Sequence, residues 1–313
     1  DVYKRQAFAQ QVADRYHTDH RLEVVGSDDF GLIDTLARLY DEPYADSSAI
    51  PTYRVCQIAR HHVTVALSGD GGDESFAGYR RYRMHMGEEM VRQRLPLGLR
   101  RPLFGTLAAL YPKADWAPRP LRAKTTFQAM AMDAVQAYCH SVSHVRTGLR
   151  ESLYSAGFKN QLGSYRALDL FREHAARARA HDPLSLVQYL DYKTWLVGDI
   201  NTKVDRASMA HSLEVREPLM DHELIEWLAT LPSSHKLRAG EGKAVFKKAF
   251  EPLLPHDVLY RPKMGFSVPL ASWLRGPLAG RMRESVLSDR MADTGYFHRP
   301  TIGRLVDEHL GGC

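Results

Sequence analysis

The sequence predicts a mostly helical α/β protein, and three observations predict it. Helical and extended spacings alternate from Ala7 to about Arg80. A run of five apolar or β-branched residues, Val63 to Leu67, passes straight into a glycine loop. Beyond Tyr82 the spacing is helical, broken at Pro96, Gly98, Pro102, Pro112, Pro118 and Pro120. A continuous apolar run reads as a strand buried on both faces, as in parallel sheets. The loop, Ser68-Gly69-Asp70-Gly71-Gly72-Asp73-Glu74, can take positive φ at its three glycines and let a ligand approach the backbone. A helix from Glu74 to Met84 is expected next, with Asp73 and Glu74 in its first turn offsetting the dipole.

Taken in order, Phe8, Val12 and Tyr16 mark a first helix and Arg21 to Val25 a short strand. Asp28 to Tyr40 is a second helix, with Leu32, Ile33, Leu36 and Leu39 on one face. Asp41 to Tyr53, DEPYADSSAIPTY, has turn chemistry, and a helix from Pro51 to Arg60 leads to the strand at Val63. Two strands are fewer than the four to six or so of a typical sheet, so the layer is expected to be partial, its strands lacking neighbours. The absence of an initiator methionine and the Gly311-Gly312-Cys313 end agree with a chain cut at both ends. Three regions are expected: 1–81, a partial parallel α/β nucleotide-binding layer; 82–182, a helical insertion; and 183–313, a helical part completing the site. In the last, Pro183 to Val197 carries a wide apolar face of Leu186, Tyr189, Leu190, Tyr192, Trp195 and Leu196. Asp199, Asn201, Lys203, Asp205, Arg206, Glu214, Arg216 and Glu217 read as an ion-pair network bracing a turn, and Asp221 as a helix N-cap.

Composition narrows the function. At 313 residues, 44% hydrophobic and 25% charged, the chain has the makeup of an ordinary globular protein with real cores. No apolar run approaches the roughly 18 residues of a membrane span, and no signal peptide is evident, so a cytoplasmic protein is expected. Three cysteines, Cys56, Cys139 and Cys313, are too far apart for a zinc site or a disulfide framework. The net charge of +5 and the arginines at 80, 81, 83, 92, 94, 100 and 101 raise the question of nucleic acid, but no base-stacking motif accompanies them. A solvated basic helical face is expected instead.

Two stretches resemble one family. Leu67 to Glu74, LSGDGGDE, with Phe76 to Tyr79, FAGY, resembles a signature of the asparagine synthetases. Lys203 to Asp221, KVDRASMAHSLEVREPLMD, resembles a long stretch of their C-terminal synthetase domain, in the same order and approximate spacing. The resemblance extends to DEPYADSSAIPTY, to Gly240–Phe250 (GEGKAVFKKAF) and to Arg261–Leu270 (RPKMGFSVPL), and is weak across Tyr82 to Tyr165. It implies a PP-loop ATP pyrophosphatase fold with helical additions, here lacking its first strands. It also implies ATP-dependent amidation of aspartate to asparagine through β-aspartyl-AMP, with ammonia from glutamine made by a separate glutaminase domain. ATP and magnesium are the implied cofactors.

Carried over position by position, the resemblance implies that Ser68 and Gly69 contact the nucleotide and Asp70 sits beside the acyl-adenylate. Asp73 would hold magnesium-pyrophosphate, and Lys243 would meet the phosphates. Asp70 and Lys243 are therefore the implied catalytic residues. Many of these enzymes have glutamate where this chain has Asp70. Lys243 also stands out on physical grounds, as a cation opening a helix, where the dipole disfavours it unless an anion is near; Lys263 draws a similar, weaker argument as a cofactor-binding residue. Asp70, Asp73, Lys243 and the Asp199–Glu217 segment are expected to share one cleft. The family's Ser-Gly-Gly-x-Asp-Ser pyrophosphate loop does not occur in this sequence, so the chain alone is expected to be inactive. β-Lactam synthetases, peptide-cyclising enzymes and amidotransferases of surface-polysaccharide clusters are similar too, which leaves the acceptor carboxylate open. A homodimer is admitted, and a non-catalytic nucleotide-binding or basic interaction module is the reading from another class.

Overall fold

The computed structural model describes residues 2–22, 31–112, 118, 123–261 and 268–312. Its contacts divide the chain into two discontinuous units: Asp1–Tyr79 with Trp195–Pro269, and Arg80–Thr194 with Leu270–Cys313. The third sequence region is thus shared between the two.

The first unit holds the sheet. β1 (Val65–Leu67) pairs in parallel with β2 (Glu214–Arg216), in the register Val65 to Glu214, Ala66 to Val215 and Leu67 to Arg216. Among the described residues this sheet has two strands. β1 is not buried on both faces as its apolar run predicts. Val65 and Leu67 are 39% and 75% exposed, while Ala66, pointing the other way in the two-residue period, packs inward. The inner face meets a cluster of Cys56, Ala207 and Leu213, closed by Tyr53, Ala59 and Val215. Cys56 belongs to the helix Ala49–Arg60 and Ala207 to the helix Thr202–Met209, and these two helices pack on each other beside the sheet. The second helix is Leu32–Leu39; Glu23 to Val25 of the expected first strand lie outside the described residues, and Arg21 and Leu22 are not in a strand.

β2 lies inside the segment expected to be an ion-pair network, and the pairing there is different. Lys203 pairs with Asp46 and Arg206 with Asp41, both from the DEPYADSS turn; Arg216 pairs with Glu214 within the strand. Asp221 is the N-cap expected of it, accepting from the Leu224 amide at 3.1 Å.

The second unit is helical. Asp182 caps the helix Pro183–Lys193, with Pro183 at its first turn. Its buried face is Leu184, Val187, Gln188, Leu190 and Asp191, which shares only Leu190 with the face expected within this helix. The shift is explained by polar partners: Asp191, fully buried, accepts from Arg81 at 2.7 Å and from the Tyr82 hydroxyl. The basic helical face is likewise not all solvated. Arg92 is buried against Glu88, Glu89 and the Ala129 carbonyl, and Arg100 donates to the carbonyls of Leu95, Met130 and Met132. These guanidiniums add donors at helix ends and turns, where carbonyls lack a full set of helical partners.

Candidate functional site

The site grows from the carboxyl end of the parallel pair, where open α/β sheets bind ligands. Ser68 continues the ladder by donating its amide to the Arg216 carbonyl at 2.8 Å. Its hydroxyl then donates to the Asp70 carboxylate, which closes the loop on itself. Of the three glycines that can take positive φ, Gly71 does, at +80°. Gly72 is close-packed for a different reason: a Cβ there would lie 2.7 Å from Leu219 Cδ1, so that leucine side chain would have to shift, whereas Gly69 faces open space. A β-carbon at Gly71 would overlap the Met220 side chain. The loop is therefore packed on the turn that follows β2, through Leu219 and Met220.

The helix after the loop is a single turn, Gly72–Ser75, not the long helix expected from Glu74 to Met84. Ala77 breaks it by taking φ +57°, and a second helix starts at Arg80. The break has a purpose in packing. The Lys243 amide donates to the Phe76 carbonyl at 2.8 Å, and a β-carbon on Gly242 would strike the Ala77 carbonyl oxygen. The Gly242–Lys243 backbone is thus seated in the bend. It arrives there on a hairpin, β3 (Leu237–Arg238) and β4 (Glu241–Gly242), whose two linking residues, Ala239 and Gly240, both have positive φ as such tight hairpins favour. Phe76 and Phe246, with ring centroids 4.7 Å apart, fasten the helix Ala244–Phe250 to the same bend.

The consequence is a direct ion pair. Lys243 Nζ lies 3.0 Å from Asp73 Oδ1, each side chain about a quarter exposed. Lys243 itself takes φ +58° at the N-cap of its helix. The anion that its position against the helix dipole calls for is Asp73. Gly78 lies against both groups, so that a side chain there would displace the carboxylate and the lysine stem.

Asp70 sits at the other end of the loop, among acids. Burial raises the Glu217 carboxyl above the usual range, and the charges of Asp70 and Asp205 raise it further. Burial also pushes the Cys56 thiol up to about 11, with Asp70 adding to the shift. The structure thus brings Ser68, Asp70, Asp73, Lys243 and Glu217 into one unit at one end of the sheet. Lys263 lies outside the described residues.

Sequence reasoning gave no role to the DEPYADSS turn, which carries a second polar cluster. The Tyr44 hydroxyl is 2.6 Å from Asp199 Oδ1 and 2.6 Å from its carbonyl oxygen, and the Tyr44 and Tyr40 rings stack at 4.2 Å. Asp199 belongs to a π-helical turn, Leu196–Asn201, of the kind often found at functional sites. Lys203 Nζ donates to Asp46 Oδ2 at 2.8 Å and to Ser48 Oγ at 2.9 Å. The signal available was the Asp-x-Ser spacing of Asp46 and Ser48, which lets one carboxylate accept from the amide and hydroxyl two residues on.

Among the described residues no group of three or more acids, histidines or cysteines could by itself hold a metal. Nor, among them, is any helix long and apolar enough to cross a membrane.

Comparison with known proteins identifies the family. The family model described as asparagine synthase matches residues 3–312. The chain is 31% identical over 270 residues to asparagine synthetase [glutamine-hydrolyzing] 1 of Bacillus subtilis, which covers 86% of this chain and 40% of that protein. It is 33% identical over 297 residues to a putative asparagine synthetase [glutamine-hydrolyzing] of Mycobacterium bovis, covering 94% and 43%. Amidase chyE of Penicillium rubens is 23% identical over 266 residues, 75% of this chain and 36% of that protein. The chain therefore spans about two fifths of the length of the curated relatives it matches. With a family model covering nearly its whole length, the chain belongs to the asparagine synthase family and has that family's PP-loop fold.

Proposed function

We propose that the chain is the synthetase portion of a glutamine-dependent ligase that converts aspartate to asparagine through β-aspartyl-AMP. The observation that carries this reading is the seating of Lys243 on Asp73, 3.0 Å away, beside a glycine loop at the carboxyl end of a parallel strand pair. Three separated sequence motifs meet there.

In the reaction, a carboxylate oxygen of aspartate attacks the α-phosphorus of ATP, forming the acyl–phosphate bond as the bond to pyrophosphate breaks. Negative charge grows on the departing pyrophosphate, and the Lys243 ammonium is held where it stabilises that charge. Gly69, with open space around it, lets the nucleotide approach the backbone, and Ser68 orients Asp70. Ammonia then attacks the acyl carbon, a C–N bond forms, the bond to AMP breaks, and Asp70 accepts the proton that nitrogen loses.

Magnesium fits this donor set in part. Asp73 is a hard oxygen ligand, and magnesium commonly binds one or two carboxylates while phosphates and water complete its shell. Asp73 would hold it, and it would supply charge neutralisation at the phosphates. The glutaminase domain that would supply ammonia is proposed from the names of the Bacillus and Mycobacterium relatives.

Exchange of labelled pyrophosphate into ATP tests the first half-reaction without ammonia. The complete protein is expected to catalyse aspartate-dependent exchange. These 313 residues alone, which contain no Ser-Gly-Gly-x-Asp-Ser loop, are expected not to. A second reading keeps the adenylation and changes the acceptor. It is favoured by the similarity to an amidase and by Asp70, one methylene shorter than the glutamate common in asparagine synthetases. Exchange supported by another carboxylate and not by aspartate would select it.

A further inference from the structure

Lys203 is a buried cation that the proposed chemistry leaves unused, and it is placed at considerable cost. Its residue is 7% exposed, and it lies in the helix Thr202–Met209, which runs on directly from the π-helical turn Leu196–Asn201. A buried ammonium costs several kcal/mol in desolvation before its partners repay it. The partners are specific: Asp46 Oδ2 at 2.8 Å and Ser48 Oγ at 2.9 Å, with Ser48 also donating its amide to Asp46 Oδ1 at 2.9 Å. Burial works to raise the Asp46 carboxyl, but its bonds to Lys203 and Ser48 outweigh this and hold it below the usual range. The backbone joins in, since the Lys203 carbonyl accepts from the Tyr40 hydroxyl at 3.3 Å.

The pinned turn leads to the acceptor end of the site rather than the phosphate end. Two residues before Asp46, Tyr44 bonds Asp199 in the π-helical turn directly ahead of Lys203. Directly after Ser48 begins the helix that carries Cys56, which packs on Ala66 of β1 and feels the charge of Asp70. Asp73 and Lys243, at the other end of the loop, are held independently through Phe76 and the β3–β4 hairpin.

We propose that Lys203 is a positioning residue for the carboxylate acceptor, holding the Asp46–Ser48 turn so that Tyr44, Asp199 and the helix behind Asp70 keep the geometry in which the acceptor is bound. This rests on the reading that the site activates a carboxylate with ATP. A well-packed hydrophobic pair is often as stable as a buried ion pair, so on this proposal the contribution of Lys203 and Asp46 is to geometry.

The test uses the complete protein with Asp46→Asn/Lys203→Met, which removes both buried charges together, alongside Lys203→Arg. Pyrophosphate exchange gives KM for the acceptor and for ATP separately, and thermal unfolding reports the fold. The double variant is expected to keep the wild-type midpoint within a few degrees and the ATP KM, while the acceptor KM rises about tenfold or more. Lys203→Arg is expected to retain part of the acceptor affinity. An unchanged acceptor KM in the folded double variant overturns the proposal. So does a rise in both KM values together with a lowered midpoint, which is the mark of a merely structural lysine. Hydrogen exchange reads the pinning without catalysis: amides 41–48 should lose protection in the double variant while 68–74 keep theirs, and equal protection overturns the proposal. Wild-type protein that exchanges with no carboxylate would instead defeat the functional reading, and the amide result would still decide whether Lys203 pins the turn.

Discussion

Both units bury charged groups, and they use them differently. In the second unit Arg81, Tyr82, Tyr138 and Asp191 form a closed group, with Tyr82, Tyr138 and Asp191 wholly inaccessible to water. Every bond named there joins one helix to another. The first unit also buries a charge, Lys203, but the pair at the end of its sheet stays partly open: Asp73 and Lys243 are each about a quarter exposed. The difference teaches that burial of charge alone does not mark a site. Charge left within reach of solvent, on a loop whose glycines clear space, does so better.

The comparison breaks most severely if the second unit's group can be removed without loss. Asp191→Ala removes the buried carboxylate that Arg81 and the Tyr82 hydroxyl donate to, and is expected to cost about 3–5 kcal/mol in urea unfolding. A change below 1 kcal/mol would make the group an ornament. Next comes acid. Burial, and then the Arg92 charge, lower His85 to about 3. A depressed folded value means the unfolded chain takes up the proton first. The stabilising contribution is therefore present above the ordinary histidine value of about 6.5 and is lost as pH falls from there toward about 3. That loss should be on the order of a few kcal/mol and absent in His85→Phe, read from unfolding midpoints between pH 7 and pH 4. Gly242→Ala drives a β-carbon against the Ala77 carbonyl and should cost about 1–3 kcal/mol. Asp221→Ala, which removes a cap, should cost about 1 kcal/mol, with unfolding at neutral pH as the measure for both.

Legibility followed the same divide. The glycine loop, the Asp221 cap and the helix ahead of β1 could be read from residue types because turn and cap chemistry is local. β2 could not, since three residues flanked by charge become a strand only when β1 offers its ladder. The burial of β1 was misjudged because an apolar run does not reveal how many neighbours the strand will have. Ala77 and Lys243 in left-handed conformations gave no sign, as neither residue type favours it; the requirement comes from the close approach of two distant segments. From sequence Lys203 is one charge among many, because its partner Asp46 lies 157 positions away.

The central claim is that the ion pair at the loop serves chemistry and not stability, and Lys243→Ala in the complete protein tests it most directly. An ion pair this exposed should contribute less than about 1 kcal/mol, so the unfolding midpoint should barely move. Aspartate-dependent pyrophosphate exchange should fall by about a hundredfold or more, the loss expected when a preorganised charge-stabilising group is removed. Undiminished exchange by a folded Lys243→Ala protein would contradict the account.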